Sequence, residues 1–252
     1  MRNCQSCGFK KWLKPDQESD RWKVVEGICV RQWKCGRCGR LQPEERPFDR
    51  QPPKVLYFDI ETSLMTVATF DLHIPQKYIP LDHIIQRSFI ICWAAAWVKD
   101  GEFLPVMSDS VRWYEAKTGD DHRCLTWLWQ LMDSADYIVG HNSDSFDVKK
   151  INYRFIRNGM GLPYKAKQVD TLKQLRKYTR GESNKLDEWS KIFGGGGKEH
   201  MEYDDWHRIR TNPTGEDLAK MEHYCRRDVR EGATVYRDLK KIIEARGDPV
   251  LK

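Results

Sequence analysis

Three places in the sequence hold carboxylates that packing alone does not call for. The first is KVLYFDIETS, residues 54–63, where a run that reads as a buried strand ends in Asp59 and Glu61. Residues i and i+2 of a strand point the same way, so the two acids project together. Adjacent anions repel unless a positive charge sits between them, and a hard divalent cation with oxygen preference supplies one. The second place is GHNSDSFDVKK, residues 140–150, which follows a buried strand and opens a helix with Asp147 in its first turn. The helix dipole favours an acid there in any case, and Asp144 suits a cap. The third is the last helix. Leu218, Met221, Cys225, Asp228, Gly232, Val235, Leu239 and Ile242 form one stripe at spacings of three and four. That stripe is the core face, where an unpaired carboxylate is expensive. Tyr224 lies four residues before Asp228 and nearly above it, and Gly232 leaves room for a close approach. Taken singly, each acid has an ordinary role open to it: strand end, dipole partner, hydrogen-bonded core residue.

An α/β framework must position these acids. SFIICWAAAWV (88–98) reads as a fully buried strand, EFLPVM (102–107) as a short third, and ADYIVGH (135–141) as another. CLTWLWQLMD (124–133) is amphipathic, and a helix over about 145–158 stops at Gly159. VDTLKQLRKY (169–178) and NKLDEWSKIF (184–193) look helical, and a long helix runs from about 215 to 245. FGGGGK (193–198) lacks the ending of a phosphate loop and reads as a helix-terminating turn. Strands first, then strands alternating with helices, predict an α/β sandwich with a mixed sheet.

Ahead of this lies a separate module. Cys4 and Cys7, then Cys35 and Cys38, form two C-x-x-C knuckles with 27 residues between them. Four thiolates suit one tetrahedral Zn²⁺, and RWKVVEG and CVRQWKC alternate like a hairpin, so residues 1–41 read as a zinc ribbon with a structural metal. Cys29, Cys92, Cys124 and Cys225 read as small buried hydrophobes. Residues 42–54, with Pro43, Pro47, Pro52 and Pro53, read as a stiff linker, leaving 55–252 as the main domain. Residues 1–54 hold 13 Lys and Arg against 7 Asp and Glu, whereas the remainder holds 30 of each. All of the excess positive charge is therefore N-terminal, which suggests a polyanionic partner. The longest apolar run, residues 89–98, is too short to span a membrane, and the start has no apolar signal core. The expected setting is the cytoplasm, where disulfides are disfavoured.

In order, D-x-E (Asp59, Glu61), N-x-x-x-F-D (Asn142, Phe146, Asp147) and Y-x-x-x-D (Tyr224, Asp228) resemble the DEDD superfamily of 3′→5′ exonucleases, tyrosine type, over residues 55–243. N-x-x-x-F-D is similar to the proofreading domains of family B DNA polymerases. The flanks FDIETS, IPLDHIIQ, VDTLKQL and SNKLDEW look closer to stand-alone exonucleases of bacteriophages and bacteria. The ribbon lies outside the resemblance. What the resemblance implies is a ribonuclease H-like fold whose four carboxylates hold two Mg²⁺ or Mn²⁺ ions about 3.5–4 Å apart, activating a water and stabilising the leaving 3′ oxygen. Asp59 would bridge the ions, Glu61 and Asp228 would complete the first, and Asp147 would help hold the second. Tyr224 would orient the water, and Asn142 the substrate or a water outside the metal ligands. By its charge alone Lys185 is a candidate for touching a phosphate, although a solvated helix lysine needs no such role. The histidine branch of the superfamily places His five residues before the last Asp, and His223 meets that spacing too. On a helix Tyr224 lies about 40° from Asp228 around the axis and His223 about 140°, which favours Tyr224.

The function so implied is trimming of single-stranded DNA from its 3′ end, in phage or bacterial replication or repair, with the ribbon gripping DNA or docking on a replication or repair protein. Alternatives are a 3′→5′ exoribonuclease, a structure-specific endonuclease, or a zinc-ribbon binding module on an inactive nuclease fold. All four acids are present, which argues against the last.

Overall fold

β-Branched and aromatic residues crowd positions 55–60 and 89–98, and they build the central strands of a sheet in the computed structural model. The structure describes residues 12–13, 23–25, 28–35, 37–38, 41–47, 53–69, 79–99, 101–163, 166–197 and 200–247; strands before residue 48 are described by their backbone. The chain divides into two units, Met1–Pro52 and Pro53–Lys252.

In the first unit β1 (Trp12–Leu13), β2 (Lys23–Val25), β3 (Ile28–Cys35) and β4 (Leu41–Pro47) form an antiparallel sheet. β3 pairs with β4 along 28–34 and with β2 and β1 on its other side. Residues 42–47 are thus a paired strand, where the sequence suggested linker. Pro43 and Pro47 are tolerated because β4 is an edge strand. Cys35 ends β3 and the exposed Cys38 sits in the turn that leads to β4. Cys4 and Cys7, the other half of the expected zinc set, lie outside the described residues.

The second unit contains β5 (Val55–Thr62), β6 (Thr66–Val67), β7 (Ile84–Gln86), β8 (Ile90–Lys99), β9 (Glu102–Phe103), β10 (Met107–Ser110), β11 (Tyr137–Gly140) and β12 (Lys167–Asp170). Its helices are α1 (Trp113–Thr118), α2 (His122–Asp133), α3 (Asp147–Arg157), α4 (Thr171–Tyr178), α5 (Leu186–Ile192), α6 (Tyr203–Thr211) and α7 (Gly215–Glu244). The sheet order is β10-β8-β5-β11-β12, with β9 on β8, and β6 pairs β7 separately. β8 runs antiparallel to β5 and β10, whereas β11 runs parallel to β5 and β12. This is the expected mixed sheet flanked by helices.

Register explains the unusual run CWAAAWV. Cys92, Ala94 and Ala96 stand opposite Glu61, Asp59 and Tyr57, so they share the face that α7 packs on. Small side chains there let the helix come close. Trp93 faces the other way, where its Nε1 donates to Cys124 O at 2.8 Å and its ring meets Trp127 edge-on. None of the helices among the described residues is long and apolar enough to cross a membrane.

Several elements of the second unit differ from their expected form. EFLPVM is two short strands, β9 and part of β10, because Pro105 interrupts it. VDTLKQLRKY hides the end of β12, and Asp170 both ends that strand and caps α4 by accepting from Leu172 N and Lys173 N. The buried stripe of α7 ends on Ile243, with Ile242 exposed, because 3.6 residues per turn drift away from a strict three–four count over eight turns. α1 and α6 were not expected at all; both are short, and their polar sequences carry little periodic signal.

Candidate active site

β5 carries Tyr57, Asp59 and Glu61 on the face beneath α7. The structure fixes the spacing at two levels. The Tyr57 hydroxyl occupies the space that a side chain at Gly232 would need, since a Cβ there would lie 1.9 Å from it. Further along, the Cys225 thiol donates to the Asp59 carbonyl at 3.5 Å and to its Oδ2 at 3.7 Å. The helix therefore descends as the strand rises. Two strand residues advance about 6.6 Å and four helix residues about 6 Å, so each strand acid meets the next helical turn. Tyr57 meets Gly232, Asp59 meets the Cys225–Asp228 turn, and Tyr224 comes level with Glu61.

The result is a cluster. One oxygen each from Asp59, Glu61 and Asp228 lie within 4.8 Å of one another. Asp228 is 2% exposed, whereas Asp59 and Glu61 are half-buried. Asp147, buried at the first position of α3, lies outside that 4.8 Å group. Its charge still reaches the site. Burial pushes the Tyr57 phenol well above its ordinary pKa, and Asp59, Asp228, Asp147 and Asp170 raise it further, in that order. Burial likewise lifts the Cys225 thiol, with contact from Cys92 and the charges of Asp59 and Glu61 adding to it. Three acids thus meet in one cluster, with Asp147 near enough to act on the same buried phenol. Oxygen donors at this spacing fit a hard divalent cation.

Tyr224 and His223 separate cleanly. α7 starts at Gly215, so both lie on the helix; Tyr224 is 5% exposed and His223 is on the solvent side. Tyr224 packs edge-to-face against Trp206 of α6, ring centroids 6.3 Å apart. Sequence reasoning missed Trp206, because nothing in YDDWHRIRT announces which side chain turns inward.

The loop after β11 is built tightly. A Cβ at Gly140 would lie 2.6 Å from the Ser143 Cβ, so only glycine fits. Asn142 adopts φ 63°, its N–H donates to Asp170 Oδ1 at 3.0 Å, and its side-chain oxygen accepts from Ser145 Oγ at 2.6 Å. His141 binds Thr171 Oγ1 and the Asn184 carbonyl. That bond ties the residue before Lys185 to the loop carrying Asn142, and Lys185 is exposed at the start of α5. Asp144, expected as a possible cap, instead pairs with Lys173. Phe146, beside Asp147, leaves 43% of its surface exposed, with Lys150 Nζ 5.7 Å from the ring centroid.

The RNase_H_2 family, described as RNase_H superfamily, matches residues 86–240, which is more than half of the chain.

The chain belongs to the RNase H superfamily.

The matched span contains Asp147, Tyr224 and Asp228 and starts after Asp59 and Glu61. Among solved structures, the family B DNA polymerase from the hyperthermophilic archaeon Pyrobaculum calidifontis is similar, with a TM-score of 0.54 and 18% identity. The match covers 86% of this chain and 28% of the polymerase chain, and at that identity it speaks for the fold alone. No curated protein matches the sequence. Membership of the RNase H superfamily agrees with the strand order, in which three antiparallel strands are followed by two parallel ones.

Proposed function

We propose that this RNase H-superfamily chain is a metal-dependent nuclease of the DEDD tyrosine type that removes nucleotides from the 3′ end of single-stranded DNA. The observation that carries the reading is the meeting of Asp59 and Glu61 from the first strand of the sheet with Asp228 from the last helix, within 4.8 Å. Asp59, Glu61 and Asp228, with Asp147 alongside, would hold two Mg²⁺ or Mn²⁺ ions, whose chemistry is to acidify a water and to neutralise charge on the scissile phosphate. The chain's own groups do the rest. The Tyr224 hydroxyl, backed by Trp206, orients the attacking water. The exposed Phe146 ring packs on a base beside Asp147, with Asn142 and Lys185 contacting the sugar and phosphate. Cys4, Cys7, Cys35 and Cys38 of the basic N-terminal unit hold one structural Zn²⁺, and that unit grips DNA or docks on a replication or repair protein. The β3–β4 turn, which keeps Cys35 and Cys38 close, supports the zinc reading.

Purified protein with Mg²⁺ or Mn²⁺, given DNA labelled at either end, tests the reading. Stepwise shortening of 5′-labelled single strands, stopped by a blocked 3′ end, is the expected result. Cleavage of 3′-blocked strands contradicts exonuclease action, preferential cleavage of RNA moves the substrate to RNA, and intact DNA binding without cleavage contradicts the enzyme.

A further inference from the structure

Arg210, near the end of α6, is costly where it stands. It is 8% exposed. Its Nε donates to Thr66 Oγ1 at 2.8 Å, and its guanidinium carbon lies 5.7 Å from the centroid of the Phe89 ring. Its Nη1 and Nη2 are buried and have no hydrogen-bond partner among the described residues. A guanidinium carries five donors in a fixed fork and keeps its charge. Leaving the tines of that fork unmet, away from water, is strongly unfavourable, and the face of Phe89 recovers only a small part. Burial accordingly pulls its pKa down.

The position of this charge is informative. Trp206 stands four residues earlier on the same face of α6 and packs on Tyr224. Thr66 lies five residues beyond Glu61. Phe89 exchanges two hydrogen bonds with Ser63, which is two residues beyond Glu61. The unmet fork therefore sits near the carboxylate end of β5, beside the segment that leads into β8.

We propose that Arg210 is a phosphate-binding residue, whose two Nη groups take a backbone phosphate of the nucleic-acid strand beside the scissile one. A guanidinium fork matches two phosphate oxygens at once, and the partner it meets there removes the cost of its burial. Both Nη atoms are covered in the structure, so the phosphate enters as α6 shifts away from β6. This inference rests on the nuclease reading of the carboxylate cluster and adds to it a substrate contact beyond the cluster.

Arg210→Met and Arg210→Lys in the full chain test it, with a fluorescent single-stranded oligodeoxynucleotide as probe and Ca²⁺ in place of Mg²⁺. Arg210→Met is expected to bind about tenfold more weakly and to flatten the slope of log affinity against log salt by about 0.7 to 1. Its thermal midpoint without nucleic acid stays the same or rises. Arg210→Lys restores the salt slope but only part of the affinity. Wild-type affinity and slope in Arg210→Met overturn the proposal. So does a lowered midpoint that Arg210→Lys restores, because the guanidinium then has a partner inside the protein. Binding without cleavage by the wild-type chain removes the nuclease reading and leaves the Arg210 comparison valid; absence of binding removes both.

Discussion

Tyr57 and Gly232 set the height at which α7 rides over β5, and every contact in the carboxylate cluster depends on that height. Gly232→Ala places a methyl against the buried Tyr57 hydroxyl and ring. It should cost about 1–3 kcal/mol in urea unfolding, despite alanine's better helix propensity, and Tyr57→Phe should relieve part of the loss. The same variant should lose activity beyond its loss of folded protein, because Asp228 lies one turn from position 232. If Tyr224 orients the water as proposed, Tyr224→Phe should slow hydrolysis roughly a hundredfold with little change in KM, whereas His223→Ala should change the rate little. The reverse ranking places the chain in the histidine branch. Asp228 was legible in the sequence because a charge in an otherwise apolar stripe conflicts with its surroundings. Tyr57 was not, because an aromatic residue in a buried strand is ordinary until the helix above it is known.

The helix that carries Asp147 is held by a buried ion pair between Arg154 and Asp121. Asp121, fully buried before α2, accepts from Arg154 Nε and Nη2 of α3 at 2.7 Å each, and from Ile90 N and Asn158 Nδ2. Every acceptor position of that carboxylate is used, so removing it strands a buried guanidinium. Asp121→Ala should cost about 3–5 kcal/mol in urea unfolding, more than loss of any surface pair among the described residues. α6 is fastened differently. The bond from Lys220, with others from Glu202 N and Arg208, holds the Asp205 carboxyl below its ordinary range despite desolvation. Desolvation raises the Asp217 carboxyl, but bonds from Thr214 and Arg208 outweigh it and leave it lowered. A depressed folded pKa stabilises fully above the unfolded value, about 3.9 for Asp, and that contribution is lost as pH falls through the folded value. Stability against urea should therefore fall below about pH 4, and Asp205→Asn should flatten that fall. Among the elements, long periodic ones such as α7 and β8 were readable from the sequence. α1, α6 and β12 were not, because a short element takes its structure from its neighbours: α6 from α7 and α1, β12 from β11.

At the scale of the whole molecule, a 30-residue helix closes over a sheet whose first strand holds two acids, and residues 167 positions apart in sequence become neighbours. The order of the motifs along the chain made that meeting readable in advance. The unusual placement of Arg210 was not readable, because it is one of many arginines until its burial is known. The excess positive charge of the first 54 residues against the balanced remainder is the reason for the proposal that the N-terminal unit attracts a polyanion while the second unit carries the chemistry. The measurement that bears most directly on this account is the rate of nucleotide release from the 3′ end of single-stranded DNA as Mg²⁺ is titrated, for the wild-type chain and for Asp59→Ala and Asp228→Asn confirmed as folded. The account predicts saturable, Mg²⁺-dependent release that chelation abolishes and that each substitution lowers by three orders of magnitude or so. Release that persists in chelator, or at wild-type rate in either variant, contradicts it.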